Sequence, residues 1–325
     1  MAVYTEITDE ELITFVANYS IGKVTSCKGI AEGTENSNYL LTTDSGSYIL
    51  TLYEKRVATV DLPFFLGLMR HLAERGVPCP TPLENKSGQA LNKLCGRDAA
   101  IISFLEGMWP RHPSPDHCAG LGQALAKLHL AGADFEMKRT NALSVDSWRE
   151  LLLASCERAD EIKPGLYNVL TQEIEELEAC WPRLNSGLPS GVIHADLFPD
   201  NVFFKHNELS GLIDFYFACN DIFAYDVAIC INAWCFETDG SFNTTKARRM
   251  LNSYCKVRNL SKEELAVLPV LARGSAMRFL LTRLYDCLYT PKGAIVTIKN
   301  PLEYLQRLQF HQGVTDPSSY GLETA

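Results

Sequence analysis

The sequence predicts an α+β chain of two lobes, a small β-rich lobe followed by a larger and mainly helical one. Three observations carry this. Between about Ile21 and Glu54 the pattern alternates as strands do, and Asp44-Ser45-Gly46 separates two such runs as a hairpin turn would. After Leu105-Glu106-Gly107 the apolar residues recur at helical spacing almost to the end. At 325 residues the chain also exceeds one typical domain. The boundary is expected between residues 104 and 105, giving lobes 1–104 and 105–325.

Thr8-Asp9-Glu10-Glu11 reads as a capping box, and Leu12, Phe15, Val16 and Tyr19 follow at helical spacing. Asn38 to Thr43 and Ser47 to Tyr53 are the hairpin strands. Leu62 to Glu74 is a helix that Gly76 closes, before the rigid Val77-Pro78-Cys79-Pro80-Thr81-Pro82. Gln89 to Leu94 and Ala99 to Phe104 form a further strand pair. Leu121, Leu125 and Leu128 mark one helical face, and Trp148, Leu151 and Leu152 begin another. Short strands are expected around 192–205 and 209–215, a helix start at Tyr225-Asp226-Val227-Ala228, and a long helix over Ala272 to Leu288. Asp226 is read there as a structural cap.

Composition narrows the function classes. The hydrophobic fraction of 46% and charged fraction of 21% suit a globular protein with a sizeable core. A net charge of −9 and a pI near 5.3 argue against nucleic-acid or anionic-membrane binding, which needs a basic face. The N-terminus has neither a basic nor an apolar leader segment, and no apolar run approaches the roughly 18 residues of a membrane span. Eleven scattered cysteines without a C-x-x-C pair read as reduced thiols of a cytoplasmic protein rather than disulfides or a zinc site.

The chemistry concentrates in Val192-Ile193-His194-Ala195-Asp196-Leu197-Phe198-Pro199-Asp200-Asn201. His194-x-Asp196 is followed by Asn201, and then by Asp214 in Ile213-Asp214-Phe215. A strand, turn and strand between them can bring Asn201 and Asp214 together. Phosphoryl transfer requires such a set: a carboxylate to orient an acceptor hydroxyl and take its proton, and two hard oxygen ligands for Mg2+ on the phosphates of ATP. Asp196 fits the catalytic base, Asn201 and Asp214 fit the metal, and His194 fits a brace for the loop. Asp200 reads as a bystander.

The chain resembles the kinases of the aminoglycoside-phosphotransferase-like, protein-kinase-like fold, which phosphorylate small alcohols. Within them it is most similar to the bacterial homoserine kinases of that fold. Tyr48 to Arg56, Leu62-Pro63-Phe64-Phe65-Leu66, Arg139-Thr140-Asn141 and His194 to Asn201 carry the likeness, together with the lobe order and the Pro-rich connection. The resemblance implies a nucleotide-binding first lobe, with Gly29 to Asn38 (Gly29, Gly33, Ser37 and Asn38 among them) over the ATP phosphates. It implies Ser103, Phe104 and Leu105 at the adenine hinge. It also implies L-homoserine as acceptor and a place in threonine synthesis. Relatives carry a lysine in the third strand, where Thr51 stands here; Lys55 and Arg56 are the nearest cations. Asp214-Phe215-Tyr216 replaces Asp-Phe-Gly and no Ala-Pro-Glu segment follows, which argues against a protein kinase.

An amino-acid acceptor needs a cation for its carboxylate, and Arg139, Asn141, Arg278 and Arg283 are the candidates. Choline would favour an aromatic cage, for which Trp234, Phe236, Tyr285 and Tyr289 are available. An aminoglycoside or a methylthioribose-like sugar as acceptor, or a nucleotide-binding pseudokinase, are the alternatives.

Overall fold

The computed structural model describes residues 5–30, 36–54, 58–155, 158–184, 186–290 and 298–322. The chain divides into two compact units, Met1–Gly107 with Ser210–Tyr216, and Met108–Leu209 with Phe217–Ala325. Sequence reasoning left Ser210–Tyr216 in the helical lobe; here it groups with the first unit.

The first unit opens with helix Asp9–Val16 (α1). Thr8 Oγ1 accepts from Glu11 N while the Glu11 carboxylate accepts from Thr8 N, the reciprocal box expected at a helix start. Strands Val24–Gly29 (β1), Ser37–Thr43 (β2), Gly46–Tyr53 (β3), Asn92–Leu94 (β4) and Arg97–Ser103 (β5) form one antiparallel sheet in the order β1-β2-β3-β5-β4. Ser37, Tyr39, Leu41 and Thr43 bury one face of β2, and Tyr39 and Leu41 join Leu12, Phe15 and Tyr19 in a core under the sheet. Helix Leu62–Glu74 (α2) lies between β3 and β4, and Gly76, at φ 78°, closes it. Tyr216 belongs to this unit because its ring meets Phe65 and Tyr53 edge-on at 5.6 and 5.5 Å, while Leu212 N donates to Pro78 O at 2.7 Å.

The second unit contains helices Pro115–Ala131 (α3), Val145–Leu153 (α4), Ala159–Ile162 (α5) and Leu166–Cys180 (α6). Strands Ser190–Ile193 (β6) and Val202–Lys205 (β7) follow, and His206 and Asn207, both at positive φ, turn the chain into Glu208–Leu212 (β8). Cys219–Ile222 (β9) pairs antiparallel with β6. Helices Phe223–Trp234 (α7), Thr244–Cys255 (α8), Lys262–Tyr289 (α9) and Pro301–Gln312 (α10) complete it. Helix α9 is longer than its apolar run because Ser261 and Glu264 form a capping box well ahead of Ala272, and Pro269 is carried inside the helix. It is long and apolar enough by composition to cross a membrane, yet 67% of that stretch is buried, with Arg278 and Arg283 on it. That burial makes α9 the core helix of its unit. Strand β9 was not expected, since Cys-Asn-Asp-Ile has turn-forming chemistry; pairing to β6 overrides the local preference.

Candidate active site

β6 delivers the chain into the loop His194 to Asn201, and three buried groups from outside it take hold of its backbone. Asp226, on the first turn of α7, is fully buried. Its carboxylate accepts from His194 N at 2.8 Å and from Ala195 N at 3.0 Å. On the other side Arg278 Nη1 donates to Ala195 O at 2.7 Å, and Trp234 Nε1 donates to Leu197 O at 2.7 Å. Within the loop His194 Nδ1 accepts from Asp196 N at 3.3 Å. Asn201 Nδ2 bonds both Asp196 O (2.8 Å) and Asp196 Oδ2 (3.1 Å). Ala195 sits at φ 64°, a left-handed conformation that costs a non-glycine residue about 1–2 kcal/mol. The bonds to Asp226 and Arg278 on both sides of its peptide offset that strain.

The clamp is itself held. Burial pushes the Asp226 pKa up, but the hydrogen bonds from His129 and the His194 amide oppose it and leave the carboxyl below its usual range. His129, at 0% exposure, is pushed below its ordinary value by burial, against the pull of Asp226. The neutral imidazole therefore donates Nε2–H to Asp226 Oδ2 at 3.2 Å and accepts Tyr254 OH at Nδ1, 2.7 Å away. Arg258 donates to that Tyr254 hydroxyl at 3.0 Å and pairs with the buried Glu264 at 2.8 Å, so a relay from α9 fixes the tautomer.

The second unit thus brings His194, Asp196 and Asn201 together, as their spacing suggests. Arg278 is corrected: at 1% exposure, with Phe217 and Phe279 against its guanidinium, it braces the loop from below instead of meeting a substrate. Arg139 and Asn141 are corrected as well. Arg139 backbone and guanidinium bond Asn220 and Ala218 O, and Asn141 donates to Asp221 and accepts from Leu143 N, so both hold β9 in place. Arg283 is buried and pairs with Glu303 at 2.9 Å, its guanidinium 6.0 Å from the ring of Phe198 in the loop. Of the possible cage, Trp234 and Phe236 are buried in packing, and Arg158 already lies over Tyr289 at 5.3 Å.

In the first unit Asp214 is exposed at φ 65°, just after β8. Gly29 ends β1, exposed, while Gly33, Lys55 and Arg56 lie outside the described residues. Ser37 is corrected: strand parity turns its hydroxyl inward, where it accepts from Thr5 N and donates to Glu54. Asn38 Oδ1 accepts from Thr51 Oγ1 at 2.8 Å across the β2–β3 register, so a neutral pair stands at Thr51. Ser103 ends β5 with its hydroxyl accepting from Thr81 N, Phe104 is 43% exposed, and Leu105 packs on Gly211.

Sequence reasoning missed His129, offered Trp234 only for an aromatic cage, and read Asp226 only as a cap. All three lie far along the chain from the loop they support, so their spacing to it carries no signal.

Known proteins resemble the chain along nearly its whole length. Residues 26–260 match the family model APH, phosphotransferase enzyme family. The homoserine kinase of Rhodospirillum rubrum is 61% identical over 322 residues, covering 99% of each chain. That of Paramagnetospirillum magneticum is 61% identical over 329 residues, covering 99% of this chain and 100% of its own. The solved amicoumacin kinase hAmiN, in complex with AMP-PNP and Ca2+, shares the fold at a TM-score of 0.71 and 16% identity, over 95% of this chain and 94% of that one. With a profile match across most of its length and full-length relatives of this identity, the chain belongs to the APH phosphotransferase enzyme family.

Proposed function

We propose that this protein is an ATP-dependent homoserine kinase, transferring the γ-phosphoryl group to the side-chain hydroxyl of L-homoserine to give O-phospho-L-homoserine for threonine synthesis. The observation that carries the acceptor is the 61% identity, over the whole chain, to a homoserine kinase. The reaction class rests on the loop geometry.

Asp196 is the base. As the acceptor oxygen bonds to phosphorus and ADP leaves, the hydroxyl proton passes to the Asp196 carboxylate. Asn201 holds Asp196 Oδ2, and the clamp on Ala195 and Leu197 keeps the carboxylate from swinging. Because the Asn201 amide nitrogen is turned to Asp196, its Oδ1 is the atom left for a cation, and Asp214 offers an exposed carboxylate. Two such hard oxygens fit Mg2+, which takes few protein ligands and supplies charge neutralisation on the phosphates when bound. Gly29 and the Asn38 amide are assigned to the phosphates, and Ser103 to Leu105 to adenine, with 1–104 as the nucleotide-binding lobe and 105–325 as the acceptor lobe. The free thiols among the described residues suit a reducing, cytoplasmic setting.

The test is ADP release on a panel of L-homoserine, choline, an aminoglycoside and methylthioribose. L-homoserine should exceed the others by orders of magnitude, and a preference for any other member would refute the acceptor. Asp196→Asn should abolish turnover while ATP binding by calorimetry persists; turnover at the parent rate would remove Asp196 as base.

A further inference from the structure

Beside the loop, α9 and α10 build a cationic and aromatic cluster in which Arg283 is joined by groups without a role so far. Its centre is Tyr304 on α10, fully buried. Arg307 lies over this ring at 4.3 Å and Arg283 from α9 at 4.4 Å. Phe198 of the catalytic loop is 6.4 Å from the same ring, and Lys299 sits 5.0 Å over Phe198. Stacking on aromatic faces holds the guanidiniums in place and strips part of their water.

The charges are unevenly matched. Arg283 pairs with Glu303 at 2.9 Å, and Lys299 with Asp200 at 3.5 Å, both through carboxylates more than half exposed. Such pairs exchange readily with an incoming anion. Arg307 has no carboxylate partner, hydrogen-bonded or ion-paired, among the described residues, in a chain whose net charge is −9. The Tyr304 hydroxyl is also buried, with the Arg307 guanidinium as the hydrogen-bonding group beside it. The cluster is within electrostatic reach of the base. Burial raises the Tyr304 pKa, Arg307 and Arg283 lower it, and Asp196 raises it.

We infer that Arg307, with Arg283 beside it, receives the carboxylate of the amino-acid acceptor, while Asp196 faces its hydroxyl. In an extended homoserine these two ends are about 5 Å apart from bond lengths alone, a span that crosses one ring such as Phe198. The two guanidiniums supply planar, charge-assisted donors, so the cluster selects a hydroxylated amino acid over an amino alcohol. This rests on the homoserine kinase reading and deepens it by naming what distinguishes homoserine from its decarboxylated analogue.

The experiment compares kcat/KM for L-homoserine and for 3-aminopropan-1-ol, which lacks only the carboxylate. In the parent protein homoserine should be strongly preferred. Arg307→Met should reduce that preference roughly 10- to 100-fold, the loss of one charged hydrogen-bonded pair. Arg307→Lys, which keeps the charge without the planar fork, should recover part of it, and serves if the Met variant does not fold. An unchanged preference in a folded variant overturns the inference and leaves the homoserine kinase reading standing. A parent protein that does not phosphorylate homoserine overturns both.

Discussion

At the scale of single residues, the site depends on groups that never meet a substrate. Asp226 accepts three donors, and one of them, His129, is kept neutral by burial and oriented by Tyr254. Replacing His129 by Leu deletes a donor to a buried carboxylate and an acceptor for a buried hydroxyl, at a cost of about 1–3 kcal/mol. The Ala195 turn would relax with it, and displacement of Asp196 by about 1 Å is worth roughly 10²-fold in rate. His129→Leu should therefore lower kcat about 10²-fold with the KM for ATP retained, measured by steady-state ADP release. A kcat within twofold of the parent would show that the loop holds its posture without this histidine.

At the scale of elements, helices approach closely where glycine permits it. A Cβ on Gly122 of α3 would lie 2.1 Å from Met250 O on α8, a backbone atom that no rotamer change can move. Gly122→Ala must push the two helices apart, costing about 1–3 kcal/mol. Urea unfolding should show a lower midpoint, and a midpoint matching the parent would contradict the close contact. The same scale explains what could be read from the chain alone. His194-x-Asp196 with Asn201 was legible because its chemistry is local in sequence. Helix α2 was legible to its ends because Leu62-Pro63 and Gly76 punctuate it. Arg278 was not, since helical periodicity gives a face but not its depth, and only packing shows that this face lies under the Ala195 carbonyl. Ser37 failed for a different reason: one residue more or less in a loop decides strand parity, and β2 begins at Ser37 itself. Arg139 and Asn141 carry the right chemistry for a carboxylate, but β9, which they hold, left no alternating pattern to be seen.

At the scale of the molecule, buried histidines tie stability to pH. His311 of α10, fully buried, lies between Tyr320 OH (2.8 Å) and Asn232 Oδ1 (3.1 Å). Burial, with Arg307 adding to it, pulls its pKa down to about 3. The folded pKa is below the unfolded value near 6.5, so between those limits the unfolded chain binds more protons. Stability should thus be full above about pH 6.5 and fall on acidification at up to about 1.4 kcal/mol per pH unit. His129 adds in the same direction. His311→Gln should flatten this acid limb in denaturant unfolding followed from pH 7 to 5, and an unchanged slope would assign the proton uptake elsewhere. The clamp on Asp226 bears on lifetime as well. The posture of the catalytic loop is a by-product of the core that holds it, through α3, α7, α8 and α9 at once. Loosening of that core should therefore cost activity before it costs the fold, and activity on storage should decay no more slowly than the second unit comes apart.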